Sequence, residues 1–326
     1  MATMHFEARA PMGTPDRRPA RTSTWPGLHI ERWRETYRTL HLYAQIVGKI
    51  KLALTPKTNQ WWNVPFYMGT RGLRTGPMPQ PGSGGERTFE IAFDFVRHEV
   101  EIADCDGRVR TLALVPALPV SEFYRELQRT LVGLGIEVAV HQTPCEIPMT
   151  TPFSQDTGHR TYLPDDAAAF FQVLRRAAPV LEIFRAHFRG KCSPVHFFWG
   201  QFDLVVTRFN GWRIPSPSGS RIARDRYDEE SISFGFWPGD AWGAGDQRGP
   251  DAVFYSQTMP EPAGLRKYPI DVAGAYFDEN RREFYLPYER VRTSPDPAHM
   301  IFQFAEATYD AGASLAGWNR DELAYP

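Results

Sequence analysis

Between Arg87 and Val115 the chain alternates apolar and polar residues with the period of a half-buried strand. Phe89, Ile91, Phe93 and Phe95 fall on one face, and Arg97 to Ala103 alternates again. Asp106-Gly107 supplies a turn signal, and Arg108 to Val115 reads as a further strand. This pattern commits the segment to antiparallel strands with one face buried and one solvated. Helical spacing brackets it. Glu31 to Leu54 carries Trp33, Tyr37, Leu40, Ala44, Val47 and Leu54 at three- and four-residue steps, an amphipathic helix ended before Pro56, and Val120 to Leu134 predicts a second helix. With Gln60 to Leu73 aromatic and β-prone, residues 25–142 read α-β-β-β-β-α.

The same order returns after a Pro-, Thr- and Met-rich connector at residues 143–164. Asp165 to Phe188 is a helix opened by Asp165-Asp166 and closed near Gly190, and Val195 to Phe209 is a long aromatic strand or a pair of them. Ser231 to Trp237, Val253 to Thr258 and Glu283 to Tyr288 add strands, and Asp296 to Leu315 a last helix. The expectation is an α+β fold of two pseudo-repeated α-β4-α-like halves, 25–142 and 165–326. They pack as one unit around antiparallel sheets paired edge to edge or face to face, with helices outside. Residues 1–24, rich in Arg, Pro and Ala, read as a disordered tail. Gly82 to Gly85 and Gly239 to Gly249 read as surface loops.

Composition narrows the function. With 37 Lys+Arg against 38 Asp+Glu the net charge is -1, which argues against nucleic-acid and acidic-membrane partners. Three cysteines without metal-site spacing fit a reducing cytoplasm, and no apolar run approaches the roughly 18 residues of a membrane helix. The Gly82-Ser83-Gly84-Gly85 cluster lacks the Lys-Ser/Thr of a phosphate loop, no dinucleotide fingerprint follows a strand, and no serine-nucleophile elbow occurs.

The densest candidate segment is Gly190 to Leu204. There His196 stands among Phe197, Phe198, Trp199 and Phe202, surroundings that depress its pKa and keep it neutral, whether as a general base, a ligand or a core residue. In a regular strand His196 and Asp203 face opposite ways, and a bulge at Gly200 would bring them to one face. Glu230 shares a face with Ile232, Phe234 and Phe236, so burial would raise its pKa, whereas Glu229 is expected to be solvated. Asp156 and His159, at i and i+3, could join His196 and Glu230 as a mixed nitrogen and oxygen set for iron or manganese, or be a capping Asp beside a surface His. Arg71 and Arg208 each follow an aromatic stretch. They suit a substrate carboxylate, or pair structurally with Asp94, Asp203 or Glu289. Phe198, Trp199, Trp237 and Tyr255 line a pocket or fill a core.

Several motifs together resemble the bacterial domain-of-unknown-function 5996 family. They are Trp61-Trp62, Arg71-Gly72-Leu73 with Thr75-Gly76, Phe93-Asp94-Phe95, Pro152-Phe153 with Asp156 and His159, and Ser193 to Leu204 with Thr207-Arg208-Phe209. Phe236-Trp237-Pro238-Gly239, Phe254-Tyr255-Ser256 and Leu286-Pro287-Tyr288-Glu289 with Arg292 complete the set, which spans Trp25 to Leu323. The resemblance implies a grouping and no activity. Where it leads one to expect a tyrosine, serine, histidine, glutamate run, this chain reads Tyr227-Asp228-Glu229-Glu230, a carboxylate in the histidine's place.

The residues then point to a cytoplasmic small-molecule enzyme without nucleotide cofactor. His196, Glu230 and Asp203 would act as acid and base to hydrolyse, isomerise or cyclise an apolar or aromatic acid held by Arg71, Arg208, Trp199, Phe198, Trp237 and Tyr255. The alternatives are an iron- or manganese-dependent oxidoreductase using His196, Asp156, His159 and Glu230, and a non-catalytic small-molecule-binding or scaffold protein.

Overall fold

The computed structural model describes residues 25–215, 221–243 and 251–325. The expected tail at 1–24 and positions 244–250 of the expected Gly239 to Gly249 loop lie outside the described residues. The first part runs α1 (Ile30–Leu54), β1 (Tyr67–Met68), β2 (Gly72–Arg74), β3 (Met78–Pro79), β4 (Thr88–Asp94), β5 (Glu99–Asp104), β6 (Val109–Ala113) and α2 (Val120–Gly133). The second runs α3 (Pro164–Ala186), β7 (His196–Phe198), β8 (Asp203–Arg213), α4 (Arg221–Arg226), β9 (Glu229–Trp237) and β10 (Val253–Met259). It ends with β11 (Tyr276–Asp278), β12 (Glu283–Pro287), α5 (Tyr288–Arg292), α6 (Pro297–Leu315) and α7 (Arg320–Leu323).

The fold is α+β, with two six-stranded antiparallel sheets. The first has the order β1-β2-β4-β5-β6 with β3 paired to β4, and the second β11-β12-β10-β9-β8-β7. They meet edge to edge: Phe66, just before β1, and Phe197 of β7 exchange two backbone hydrogen bonds of 2.8 Å. The internal repeat is not confirmed. The two segments that a repeat would superpose, around Phe66 and Phe197, instead pair with each other, and residues 59–61 form a 3-10 turn while 196–198 form a strand. Strand order differs as well, and α4 interrupts the second sheet's chain path without a counterpart in the first.

Strand alternation sorts the second sheet's faces. Leu204, Val206, Ile232, Phe234, Phe236, Phe254 and Leu286 point to one side and pack beneath α3 and α6 in the main core. The other side carries His196, Phe198, Asp203, Val205, Trp237, Tyr255, Gln257, Glu283 and Tyr285. Val205, Val253, Tyr255 and Tyr285 form a small apolar cluster there, separate from the main core and edged by Phe198 and Trp237.

Helix α1 departs from the amphipathic expectation, because every residue from Thr39 to Lys51 is buried. Its polar positions are accommodated individually. Gln45 is held by both backbone groups of Cys145, and Lys51 donates to the carbonyls of Pro65 and Thr75. The 143–164 segment is also more than a connector, since Phe153 and Tyr162 are fully buried.

Candidate functional site

Three adjoining cavities open along the tip of the β7–β8 hairpin. One of about 100 Å³ is apolar, walled by Leu52, Trp61, Val64, Phe198 and Trp199. A second of about 160 Å³ is polar, lined by Asp203, Arg226, Tyr227, Gln257, Arg281 and Glu283 beside Trp237, Tyr255 and Tyr285. A third of about 270 Å³ includes Tyr37, His41, Asp240 and Trp242. Gln201 lies on the wall of all three.

The hairpin explains why. Phe198 pairs with Asp203 and His196 with Val205, so all four share the cleft-side face. His196 and Asp203 therefore reach one face through the four-residue turn that contains Gly200, and no bulge is needed. The turn closes with Phe202 N–H on Phe198 O at 2.7 Å and holds Phe202 at φ 62°. A side chain on Gly200 would meet Glu146 Oε1 at 2.1 Å, and Glu146 Oε2 accepts from Gln201 Nε2 at 2.6 Å. The β11–β12 hairpin uses the same device: Arg282 N–H closes on Asp278 O at 2.7 Å with φ 61°, presenting Arg281 and Glu283. Of the non-glycine residues at positive φ, Gln60, Trp61 and Glu146 line the cleft, and Phe202 and Arg282 adjoin lining residues. Each such conformation costs on the order of 1 kcal/mol, a concentration of strain typical of binding sites.

Asp203 is the centre of the polar cavity. It is 3% exposed, and its Oδ2 accepts from Tyr255 Oη while Oδ1 has no partner. Burial pushes its carboxyl up to about 6, against the opposing pull of Arg226. Tyr255 reaches it because Gly235, its cross-strand partner, has no side chain: a Cβ there would meet the Tyr255 ring at 2.8 Å. Glu283 lies in the same cavity, and burial pushes it up to about 7 against Arg281 and Arg226. Its Oε1 accepts from Gln257 Nε2 at 2.9 Å, and Gln257 Oε1 accepts from Tyr227 Oη at 2.9 Å. Two carboxyls that burial pushes up toward neutrality thus share a chamber, an arrangement from which a base and an acid can be drawn.

Other expected residues fall elsewhere. His196 is 1% exposed, with both ring nitrogens unpartnered, its ring 4.7 Å from that of Phe198, and burial pulls its pKa down to about 3. It is neutral as expected but lines none of the cavities. Glu230 faces the helix side, where its carboxylate accepts from Asn210 Nδ2 at 2.7 Å and Trp318 Nε1 at 3.1 Å. Glu229 is the one that is buried, at 6% exposure and 2.9 Å from Lys191 Nζ. Glu230 thus shares the face of Ile232 and Phe234 as expected and is partly buried, whereas the expectation that Glu229 is solvated fails because Lys191 pairs with its buried carboxylate.

Arg208 lies under the helices, its guanidinium 3.4 Å above the Phe184 ring, donating to Phe184 O and to Glu306 at 3.2 Å. Neither it nor Arg71, half-exposed and paired with Asp94, touches the cleft. Asp156 Oδ2 and His159 Nδ1 bind each other at 2.8 Å, and the four residues of the expected metal set do not converge. Among the described residues no group of three or more His, Cys, Asp or Glu is placed to hold a metal ion. Phe198, Trp199, Trp237 and Tyr255 do line the cleft.

Arg226, Gln201, Glu146, Arg281 and Glu283 were not legible as site residues. Only Glu283, alternating with Tyr285 on a strand, carried a usable signal. His41 was also missed. It accepts from Trp242 Nε1 at Nδ1 (3.0 Å), so its proton sits on Nε2, facing Gly200 O at 3.1 Å, and burial lowers it to about 4. It is a neutral strut that fixes the turn.

Fold and cleft together define an α+β protein with a polar chamber, holding Asp203 and Glu283, on one face of its second antiparallel sheet. Over residues 25–325 the chain matches the model of a family of unknown function, DUF5996, and it belongs to that family. The resemblance drawn from its motifs is thereby shown. No curated protein and no solved structure matches.

Proposed function

We propose that the protein is an acid–base enzyme acting on a small organic molecule, with Asp203 as base and Glu283 as acid. The observation that carries the reading is the Asp203 carboxyl on the wall of the polar cavity, one oxygen held by Tyr255 and the other, Oδ1, buried without a partner. A buried acceptor without a partner costs about 1–3 kcal/mol, a cost relieved when a substrate proton donor occupies the site. At neutral pH the Asp203 carboxylate takes a proton from the substrate, and Glu283, oriented by Gln257, returns one to the product. Arg226 limits the rise of both carboxyl pKa values. Hydrolysis, isomerisation and cyclisation all run on such a pair. No helix among the described residues is long and apolar enough to cross a membrane.

The test is a carbon-detected pH titration of labelled Asp and Glu carboxyls, the two resonances assigned by their loss in Asp203→Asn and Glu283→Gln. Midpoints near 6 and 7 support the reading; midpoints near the ordinary 4 sink it.

A further inference from the structure

We infer that the cleft binds an amphiphilic monoanion: a single apolar ring carrying a carboxylate on a short chain, the ring in the apolar cavity and the carboxylate on Arg226. This rests on the acid–base reading in one respect, that the carboxylate end must lie beside Asp203 and Glu283.

The layout of the cavities carries the inference. The apolar and polar chambers have two residues in common, Gln201 and Arg226, so those side chains stand where the chambers adjoin. The Arg226 guanidinium stands 5.7 Å above the Phe198 ring, which belongs to the apolar wall. A ligand that fills both chambers must therefore pass its apolar part along Phe198 and present its next group to a guanidinium. A planar fork of N–H donors matches a carboxylate in two parallel hydrogen bonds, whereas a cation at that point would be repelled and a neutral group would gain far less.

Size and charge restrict the ligand further. About 100 Å³ is a third below the cavity of about 150 Å³ that accommodates benzene in a protein core, so the apolar chamber has room for no more than one ring, part of it at the mouth. In the polar chamber two arginines, Arg226 and Arg281, face two carboxyls. Glu146, on the wall beside Gln201, adds a third carboxyl nearby, so a ligand with a single negative charge is admitted more readily than a dianion. The ligand class expected from the sequence is thus retained, but its carboxylate goes to Arg226, since Arg71 and Arg208 lie outside the cleft.

Calorimetric titration of the full chain at pH 6.5 with 4-phenylbutyrate, 4-phenylbutanamide and butyrate tests this. The acid should bind at least about tenfold more tightly than either control, since losing the charge or the ring removes one of two contacts each worth about 1.4 kcal/mol or more. Arg226→Gln should reduce the acid to the level of the amide and leave the amide unchanged. Leu52→Glu, at a partly exposed wall position, should weaken the acid by about tenfold or more without disturbing the core. Equal binding of acid and amide, an acid preference that survives Arg226→Gln, or no saturable binding of 4-phenylbutyrate overturns the assignment. Carboxyls titrating near 6 and 7 in a protein with no acid preference defeat the ligand assignment alone. Acid-selective binding with carboxyls titrating near 4 upholds the assignment and defeats the acid–base reading alone.

Discussion

Asp203→Asn should make the protein relatively more stable at alkaline pH than at acid pH, and the size of the change follows from the site. The carboxyl has a pKa of about 6 when folded against 3.8 as a free side chain, because burial penalises its charge. The folded form therefore holds a proton that the unfolded form releases between those two values. A raised carboxyl contributes stability that is fully present below about 4 and is lost as pH rises through about 6. A rise from 3.8 to about 6 corresponds to about 3 kcal/mol. Asparagine keeps the shape, keeps an oxygen for the Tyr255 hydroxyl and does not titrate. Comparing wild type with Asp203→Asn cancels the titrating groups remote from Asp203, and Glu283, which the Asp203 charge raises, falls in the variant and adds in the same direction, so the stability difference should move by about 3 kcal/mol or more in the variant's favour between pH 4 and pH 8. Urea denaturation followed by tryptophan fluorescence at several pH values reads this directly. A difference that stays constant across that range would show that Asp203 is ionised normally, and the proposed base would lose its physical footing.

Three further outcomes are expected. His196→Leu should flatten the acid side of the stability profile: folded His196 stays neutral to about 3, so wild type loses stability as pH falls below 6.5, by about 3 kcal/mol at pH 4.5, and calorimetry of the pair checks it. Gly235→Ala should cost about 1–3 kcal/mol and release the Tyr255–Asp203 bond, since its Cβ would lie 2.5 Å from Leu204 O and 2.8 Å from the Tyr255 ring; a crystal structure with Tyr255 unmoved would contradict this. Arg208→Ala should destabilise the fold by about 2 kcal/mol or more in denaturant, by removing a buried cation from between Phe184 and Tyr309, and leave 4-phenylbutyrate affinity unchanged in the folded fraction.

Much of the secondary structure was legible because it depends on local periodicity. The alternation at Phe89, Ile91 and Phe93 became β4, the three- and four-residue spacing after Glu31 became α1, and Asp165-Asp166 marked the start of α3. The short elements β3, β11, α4 and α7 carry too few residues for a period to show. Faces were legible less often. Glu230 alternates correctly with Ile232 and Phe234, yet which side of β9 held the cleft depended on α3 and α6 covering the apolar side. Arg208 shows the same limit: a lone arginine after an aromatic strand reads equally as a substrate clamp or a core cation, and only the rings of Phe184 and Tyr309 decide. The cleft is built from pairs far apart in the chain, Asp203 with Tyr255, Glu146 with Gln201, and Arg226 with Phe198. By itself the sequence determined the element types and the family, since propensity, spacing and motif are properties of neighbouring residues. Tertiary structure alone decided which carboxyls were buried together and which arginine faced them, because burial and cross-strand placement arise only when distant segments pack.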